Sequence, residues 1–443
     1  MRNWLKMSAG DLGRGIGTGE IDAVALTQTY LDAIAAHPEQ ARIYSMVTAD
    51  RALAEAHAAA ERARAKQRFG VLDGVPISWK DLFDSAGTAT EAGSLLLKGR
   101  VPDADATVLR NATMAGLVCL GKTHMSELAF SGLGLNPSTA TPPCVNDPEA
   151  VPGGSSSGAG ASVAFDLAAC GIGSDTGGSV RIPAAWNDLV GLKTTSGRLS
   201  LGGVVPLAAK FDTVGPLARS VEDCALMLAA LEGGRAADLR GASIKGMRFA
   251  VLQTAVLEDV REAPMQAFDT AVARLQDAGA VVEKLDAPEV DTALPLSAIL
   301  YTSEAYGIWA KDIEAAPDKM FAPILERFRS GAAFQASDYV AAWAKLDTLR
   351  VQWNARVAGY DAVLMPTAPN LPPNAARLMS DEPYYLTENL LGLRNTRVGN
   401  LMGLSAVTLP TGVPSCGLML CGKPFGEEAL LRVAQAAQTV LGT

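Results

Sequence analysis

The sequence predicts an α/β protein built around one buried mixed β-sheet. Short apolar segments typical of strands alternate with helical segments along most of the 443 residues. Such alternation is typical of a sheet covered by helices, and strands buried on both faces read as continuous apolar runs. The sequence contains no internal repeat, low-complexity tract or clear linker. We therefore expect a single domain over residues 1–443.

The first 70 residues predict helices. One helix is indicated by the apolar stripe in "EIDAVALTQTYLDAIAAH", and another by the alanine-rich run "ADRALAEAHAAAERARAKQR". Gly and Pro then interrupt short apolar pieces in "FGVLDGVPISWKDLFDSAG", which indicates strands and loops. A helix, a buried strand and a turn are predicted next, in "TVLRNATMAGLVCLGKTHMSELAF".

The second half of the chain continues the alternation. A βαβ-like unit is predicted from "GMRFAVLQ", a helix over residues 263–278, and "AVVEKLDA". A helical region over residues 297–358 follows. Buried strands are then predicted in "YDAVLMPTAP" and "LSAVTLPTGV", and a final amphipathic helix in "GEEALLRVAQAAQTVL".

The composition, with 49% hydrophobic and 19% charged residues, is that of a globular protein. A net charge of −9 argues against a nucleic-acid or anionic-membrane surface, since either needs clustered Lys and Arg. The chain lacks an apolar run of about 20 residues, so we expect no membrane span. We also expect no signal peptide and a cytoplasmic protein. The six cysteines are scattered without a C-x-x-C pair, which predicts free buried thiols and no metal site.

The most unusual stretch begins at Val151 and reads "VPGGSSSGAGASVAFDLAACGIGSDTGGSVRIPA". It does not fit a P-loop, because neither glycine cluster is followed by the required Lys. It also misses the glycine spacing of a dinucleotide-binding turn, so we expect no cofactor. Gly154–Gly158 matches the G-x-S-x-G nucleophile elbow, with Ser156 as nucleophile. That fold needs a histidine after the serine, and all three histidines precede it.

A serine nucleophile in this chain therefore needs a base other than histidine. Lysine is a suitable substitute, because burial lowers its pKa and leaves a neutral amine. Three lysines lie beside apolar runs, namely Lys80, Lys122 and Lys193. Composition and spacing do not distinguish them. Two interpretations stay open at this point: a Ser–Lys hydrolase and a structural loop rich in Gly and Ser.

Several long motifs, found in the expected order, resemble the amidase signature family. They are "GVPISWKDLFDSAGTATEAGS", "GGSSSGAGASVA", "GSDTGGSVRIPA" and "GLKTTSGRLSLGGVVPLAAKFDTVGPLARSVED". The likeness covers nearly the whole chain and implies the amidase signature fold, a single large domain whose central mixed, twisted sheet is covered by helices on both faces. It also implies an N-terminal helical region over about residues 1–70, a catalytic core over about 71–230 and a substrate-pocket portion over about 240–443.

The family uses a Ser–Ser–Lys triad, and the resemblance implies its positions here. Lys80 matches the lysine of "GVPISWKD", and Ser155 matches the bridging serine of "GGSSS", preceded in the family by a cis peptide bond. Ser179, which closes "GSDTGGS", matches the nucleophile. Ser179 would attack the amide carbonyl, and Ser155 would relay the proton to neutral Lys80. The other two lysines then become structural.

The same motifs imply residues around the triad. Glycines before the nucleophile let the backbone turn so that its N–H groups can stabilise an oxyanion. The expected residues are Thr176, Gly177 and Gly178 with the Ser179 N–H for the oxyanion hole, Ser156, Asp175 and Arg181 for loop support, and Met125 and Phe130 for the substrate pocket. Arg327, Arg394 and Arg397 are candidates to bind a substrate carboxylate, although a surface or helix-packing role is commoner for each.

We expect an amidohydrolase that cleaves a C–N amide bond of a small-molecule amide to a carboxylic acid and ammonia or an amine. One alternative is the glutaminase A subunit of a tRNA-dependent amidotransferase complex. Another is a non-catalytic family member, against which the intact triad argues. The expected partner is the small-molecule amide, with no nucleic acid and no membrane. The oligomeric state stays open, and a homodimer is the assembly considered.

Overall fold

An eleven-stranded mixed sheet runs through the computed structural model, which describes residues 4–443. The first three residues of the predicted N-terminal helical region lie outside the described part of the chain. The strands are β1 (Tyr44–Val47), β2 (Pro76–Lys80), β3 (Val118–Thr123), β4 (Cys170–Ser174), β5 (Val190–Lys193), β6 (Val214–Ala218), β7 (Arg248–Leu252), β8 (Val281–Leu285), β9 (Ala362–Pro366), β10 (Ala406–Pro410) and β11 (Gly417–Cys421).

The strands lie in the order β1-β3-β2-β4-β6-β5-β10-β11-β9-β7-β8. β2 is parallel to both of its neighbours, β3 and β4, and β7 is parallel to both β8 and β9. The remaining neighbours pair antiparallel. β2, β4, β6, β9 and β10 are buried along their whole length, as their apolar and small residues predict. The predicted single α/β domain with a mixed sheet is confirmed.

Helices cover the sheet. The first backbone N–H groups of a helix have no partner within the helix, and a polar side chain at the N-cap can accept their hydrogen bonds. At Asp22 the carboxylate accepts the N–H groups of Val24 and Ala25, at 3.0 and 2.9 Å. Within residues 4–443, no helix combines the length and hydropathy needed to cross a bilayer. The α-helices are α1 (Ala9–Thr18), α2 (Ala23–Ala36), α3 (Gln40–Ile43), α4 (Ala49–Arg64), α5 (Thr107–Met114), α6 (Ser157–Ala164), α7 (Arg181–Trp186), α8 (Val221–Glu232), α9 (Glu262–Asp277), α10 (Pro288–Ala293), α11 (Leu296–Ala315), α12 (Ala322–Arg329), α13 (Ala336–Val357), α14 (Ala375–Ser380), α15 (Glu382–Leu401) and α16 (Glu427–Leu441).

Most predicted elements are present. The predicted βαβ unit is β7, α9 and β8, with its two strands paired in parallel. The helical region predicted over residues 297–358 holds α11, α12 and α13, and the two strands and final helix predicted after it are β9, β10 and α16. All six cysteines are free and buried, as expected.

The prediction that the first 70 residues are helical is wrong at β1. This strand pairs antiparallel with β3, where Tyr44 faces Thr123 and Val47 faces Gly121. Four residues are too few to show a helical or alternating pattern. Pairing gives the outer side of β3 the backbone hydrogen-bond partners that a buried strand needs. The functional subdivision of the domain stays a prediction.

The buried face of α13 offers a test of this packing. The Trp353 side chain is fully buried, whereas Val351 on the same helix is 70% exposed. Trp353→Ala should lower the free energy of unfolding by about 3–5 kcal/mol, because the cost of the cavity adds to the lost burial. Val351→Ala should change it by no more than about 0.5 kcal/mol. Denaturant titration measures both variants, and equal unfolding midpoints would contradict the packing of α13.

Candidate active site

Two parallel strands end side by side and bring three segments of the chain together. β2 ends at Lys80 and its neighbour β4 ends at Ser174. In open α/β sheets, ligands bind beyond the carboxyl ends of such strands. The chain then passes through residues 175–180, called here the 175–180 loop, into α7. The turn before α6 adds Ser155 and Ser156 to the same edge.

The Lys80 side chain is fully buried and contacts two serine hydroxyls. Its Nζ lies 2.7 Å from Ser155 Oγ and 2.8 Å from Ser174 Oγ. Burial disfavours the charged ammonium and lowers the pKa of Lys80 to about 7, although the negative charges of Asp175 and Asp212 oppose the shift. A substantial fraction of the amine is therefore neutral at neutral pH.

The two serines before α6 are held close to β4. The Gly154–Ser155 peptide bond is cis, in line with the family resemblance. Ser156 Oγ accepts the Ser174 N–H and donates to the Ser174 carbonyl, both at 3.2 Å. A Cβ atom on Gly173 would lie 2.5 Å from Ser156 Oγ. The glycine in β4 therefore allows the turn before α6 to pack against the strand.

Ser179 lies on the wall of a narrow cavity beside this cluster. The Ser179 carbonyl accepts the Ser156 N–H at 3.2 Å, which joins the backbones of the two segments. Within residues 4–443, no hydrogen bond links the hydroxyls of Ser179 and Ser155. The volume within this cavity that the centre of a water molecule can occupy is about 20 Å³. The cavity is therefore narrow and suits a compact group better than a bulky one. Its lining includes Phe130, Thr176, Gly177, Tyr301, Arg327 and Arg397.

Three backbone N–H groups of the loop are free to bind a ligand. In the described part of the chain, the N–H groups of Thr176, Gly177 and Ser179 have no hydrogen-bond partner. Gly178 differs from the expected oxyanion hole, because its N–H donates to Asp175 Oδ1 at 2.9 Å. Its φ of +142° suits glycine, and a Cβ there would lie 2.2 Å from the Thr396 hydroxyl. Gly178 therefore shapes the loop instead of offering a free donor.

A buried ion pair holds the 175–180 loop. The carboxylate of Asp175 accepts two N–H groups of Arg181, at 2.8 and 3.0 Å, and both side chains are fully buried. Asp175 also accepts the backbone N–H of Val180 and the amide of Asn400, at 3.1 and 2.9 Å. Burial disfavours the carboxylate, but the Arg181 charge and these hydrogen bonds outweigh it and hold the pKa of Asp175 well below its usual range. The contacts fit the loop-supporting role expected of Asp175 and Arg181.

Two polar residues of the site are missed by the sequence analysis. Ser174 gives Lys80 its second hydroxyl partner, and buried Asp212 accepts the Thr176 hydroxyl. Asp212 also accepts the backbone N–H of Leu207 at 2.9 Å. Both lie inside quoted motifs, "GSDTGGS" and "KFDTVGPLA". Ser174 could have been predicted from the sequence, because it is a polar residue at the end of a buried strand.

The other two candidate lysines lie apart from the serines. Lys122 donates to the Asp81 carboxylate at 3.1 Å and to the Thr90 hydroxyl at 2.9 Å. Lys193 donates to the carbonyls of Thr194 and Leu404, at 2.9 and 2.7 Å. These contacts tie loops to strands, so of the three lysines the structure brings Lys80 to Ser155.

The structure places one of the two predicted pocket residues in the cavity and the other outside it. Phe130 lines the cavity with Ser179, whereas Met125 is fully buried in the main hydrophobic core and does not line it. Burial lowers the pKa of His124 to about 4, and this side chain does not line the cavity either. Of the arginine candidates, Arg327 and Arg397 line the cavity and Arg394 does not.

The arrangement suits attack by a hydroxyl on a carbonyl group. The partly neutral Lys80 amine contacts the hydroxyls of Ser155 and Ser174, and Ser179 lies on the cavity wall beside free N–H groups. Such donors stabilise the negative charge that develops on a carbonyl oxygen. Among residues 4–443, no three His, Cys, Asp or Glu side chains lie close enough together to hold a metal ion.

Comparison with known proteins identifies the family. The sequence profile of the Amidase family matches residues 25–431. The chain is 34% identical to the A subunit of glutamyl-tRNA(Gln) amidotransferase from Azorhizobium caulinodans, over 97% of this chain and 95% of that protein. It is 33% identical to 2-amino-5-chloromuconic acid deaminase of Comamonas testosteroni, over 96% of this chain and 94% of that protein.

The fold agrees with these sequence matches. The crystal structure of a peptide amidase from Stenotrophomonas maltophilia is similar, with a TM-score of 0.84 and 28% identity. The similarity covers 100% of this chain and 98% of that structure. The match over residues 25–431 and the relatives aligned along nearly their full length show that this chain belongs to the Amidase family, the amidase-signature enzymes that its motifs resemble.

Proposed function

We propose that this protein hydrolyses a C–N amide bond of a small-molecule amide to a carboxylic acid and ammonia or an amine. The most direct support is the fully buried Lys80 amine, which lies 2.7 Å from Ser155 Oγ and whose pKa is lowered to about 7. A neutral amine can accept a proton from a hydroxyl, whereas an ammonium cannot. Family membership supports the general reaction, because amidase-signature enzymes hydrolyse C–N bonds.

In the proposed first half-reaction, an acyl-enzyme forms on Ser179. Ser179 Oγ attacks the carbonyl carbon and gives its proton to Ser155, which passes its own proton to Lys80. As the C–O bond forms, the carbonyl electron pair moves to oxygen, where the free N–H groups of Thr176, Gly177 and Ser179 bind the oxyanion. The C–N bond then breaks, and the proton on Lys80 returns through Ser155 to the leaving nitrogen.

In the second half-reaction, water replaces the amine. Neutral Lys80 accepts a proton from the water through Ser155 while the water oxygen attacks the acyl carbon. The ester C–O bond breaks, and the same proton returns to Ser179 Oγ. The relay needs the two serine hydroxyls to meet when substrate binds, and hydrogen bonds of this kind often tighten only then. The contact between the Ser156 N–H and the Ser179 carbonyl already keeps the two backbones together.

A second candidate is the glutaminase component of a tRNA-dependent amidotransferase. The 34% identity to the A subunit of such an enzyme over nearly the whole chain favours it. The 33% identity to a deaminase named for a small organic acid favours a small-molecule enzyme to a similar degree. The Lys80–Ser155 contact argues against a non-catalytic protein, because buried amines with a strongly lowered pKa are concentrated at functional sites.

Purification of the chain alone separates the two candidates. We expect the lone chain to release ammonia from simple amides in a screen of aliphatic, aromatic, malonyl-type and carbamoyl compounds, because all groups of the proposed mechanism lie on one chain. Ammonia release is measured with and without glutamine. Turnover that needs both glutamine and a co-purified partner protein would instead support the amidotransferase.

Ser179→Ala should lower turnover by at least about 10⁴-fold, because the attacking oxygen is lost. Ser200→Ala provides a matched control at an exposed serine outside the cavity. Ammonia release measures activity, and circular dichroism checks that both variants fold. If Ser179→Ala retained wild-type turnover, another group would have to attack the amide.

The pH dependence should follow the Lys80 amine. Protonation removes the base, so kcat/KM should fall about tenfold for each unit of pH well below the pKa of Lys80. It should level off as pH rises above about 7, where the amine is neutral. Initial rates in a series of overlapping buffers give this profile. A profile that stays flat from acid to alkaline pH would exclude Lys80 as the base.

A further inference from the structure

Two arginine side chains reach the cavity beside Ser179 without a negatively charged partner. Arg327 comes from α12 and Arg397 from α15. Both line the cavity together with Ser179. In the described residues, neither forms an ion pair with Asp or Glu. By contrast, buried Arg181 is fully paired with Asp175. Unpaired guanidinium groups in such a place are costly unless a ligand supplies the missing charge.

Arg397 is the less satisfied of the two. A guanidinium has five N–H donors, yet within residues 4–443 Arg397 donates no hydrogen bond, and its Nε is buried without a partner. Arg394, one turn earlier on α15, donates to the Asn395 side chain at 3.2 Å and to the Val256 carbonyl at 3.3 Å. Of these two arginines of α15, the one that lines the cavity is therefore the one without partners.

Arg327 is held in place but keeps an uncompensated charge. It donates to the Phe130 carbonyl at 2.9 Å, and its guanidinium lies 4.4 Å from the centre of the Phe130 ring. Burial and the neighbouring positive charge of Arg397 lower the pKa of Arg327 to about 9. The group stays charged at neutral pH, and an anion between the two arginines would relieve their repulsion.

A tyrosine hydroxyl completes the set of unpartnered donors. Tyr301 on α11 lines the same cavity and is 4% exposed. Its hydroxyl is buried and has no hydrogen-bond partner in the described part of the chain. Buried hydroxyl groups are almost always hydrogen-bonded, so this hydroxyl on the cavity wall is available to donate to a bound ligand.

These donors lie close to the loop that carries Ser179. A Cβ atom on Gly177 would be 3.8 Å from Arg397 Cγ, so the arginine side chain passes directly beside the loop. Gly177 is also one of the residues with a free N–H. A carbonyl oxygen at the free N–H groups and an anion at the arginines would therefore lie close enough to belong to one compact molecule.

We propose that Arg397, Arg327 and Tyr301 bind a carboxylate of the substrate, which makes the substrate class short monoamides of dicarboxylic acids. This inference rests on the proposed amidase function. A carboxylate accepts paired N–H donors from a guanidinium in a planar arrangement. The narrow cavity favours a short spacer between carboxylate and amide. After cleavage the acyl portion leaves as a dicarboxylate, and the nitrogen leaves as ammonia.

The kinetic test compares acidic amides with uncharged counterparts. Malonamate, succinamate and glutaramate are each assayed against the matching diamide, and the ratio of the two kcat/KM values is measured. We expect the wild-type ratio to favour at least one acidic amide by about tenfold or more, and Arg397→Met to lower that ratio by about 10- to 100-fold. Tyr301→Phe should lower it by a smaller factor, since one neutral hydroxyl is lost.

Arg394→Met is the matched control, because it removes an arginine from the same helix but outside the cavity. We expect it to leave the ratio unchanged. Equal or faster cleavage of every diamide by the wild type, or a ratio unaffected by both Arg397→Met and Tyr301→Phe, would overturn the carboxylate site. In either case the amidase function would still stand.

A binding measurement separates the two proposals if no amide is cleaved. Calorimetric titration of the Ser179→Ala variant with malonate, succinate and glutarate tests the anion site without catalysis. We expect at least one dicarboxylate to bind, and the added Arg397→Met change to weaken its binding by about tenfold or more. Binding without turnover by the wild type would support the site and refute the amidase function. Absence of binding to a folded Ser179→Ala variant would overturn the carboxylate site.

Discussion

The burial of the Lys80 amine is the constraint on which the rest of the site depends. β2 lies between β3 and β4, so the side chain at its end is fully removed from water. In the described residues no carboxylate forms an ion pair with this amine, and the hydroxyls of Ser155 and Ser174 are its partners instead. An ammonium is unstable in such a place, which favours the neutral base. Burial is costly for a charged lysine, but here it supplies the neutral amine that the proposed mechanism needs as a base.

The C-terminal half of the chain holds the loop opposite this base. Arg181 donates to the Thr396 carbonyl at 2.6 Å, and Asn400 donates to Asp175 at 2.9 Å. The 175–180 loop is therefore fixed by α15, a helix more than 200 residues later in the chain. The same helix carries Arg397, the main ligand of the proposed carboxylate site. α15 therefore contributes both to the position of the loop and to the proposed carboxylate site.

The sequence predicts the architecture better than the details of the site. Apolar runs and glycine breaks indicate the strands, because burial on both faces demands apolar residues. The motifs lead to Lys80 and Ser179, but single-residue contacts escape them. In the sequence, nothing but its place at the end of a strand distinguishes Ser174. The unpartnered N–H donors of Arg397 can be recognised only in the structure, where three helices distant in sequence meet at the cavity. The motif predicts a free N–H at Gly178, yet in the structure this N–H binds Asp175, since hydrogen bonding within a loop cannot be read from spacing.

The most direct test of the account is the titration of the Lys80 amine itself. Nuclear magnetic resonance of protein labelled at the lysine side chains follows each amine with pH, and a Lys80→Met variant assigns the signal. We expect the Lys80 signal to titrate with a pKa near 7, well below that of an ordinary lysine. A Lys80 amine that titrates with the usual lysine pKa of about 10.4 would contradict the claim that Lys80 is the neutral base of the site.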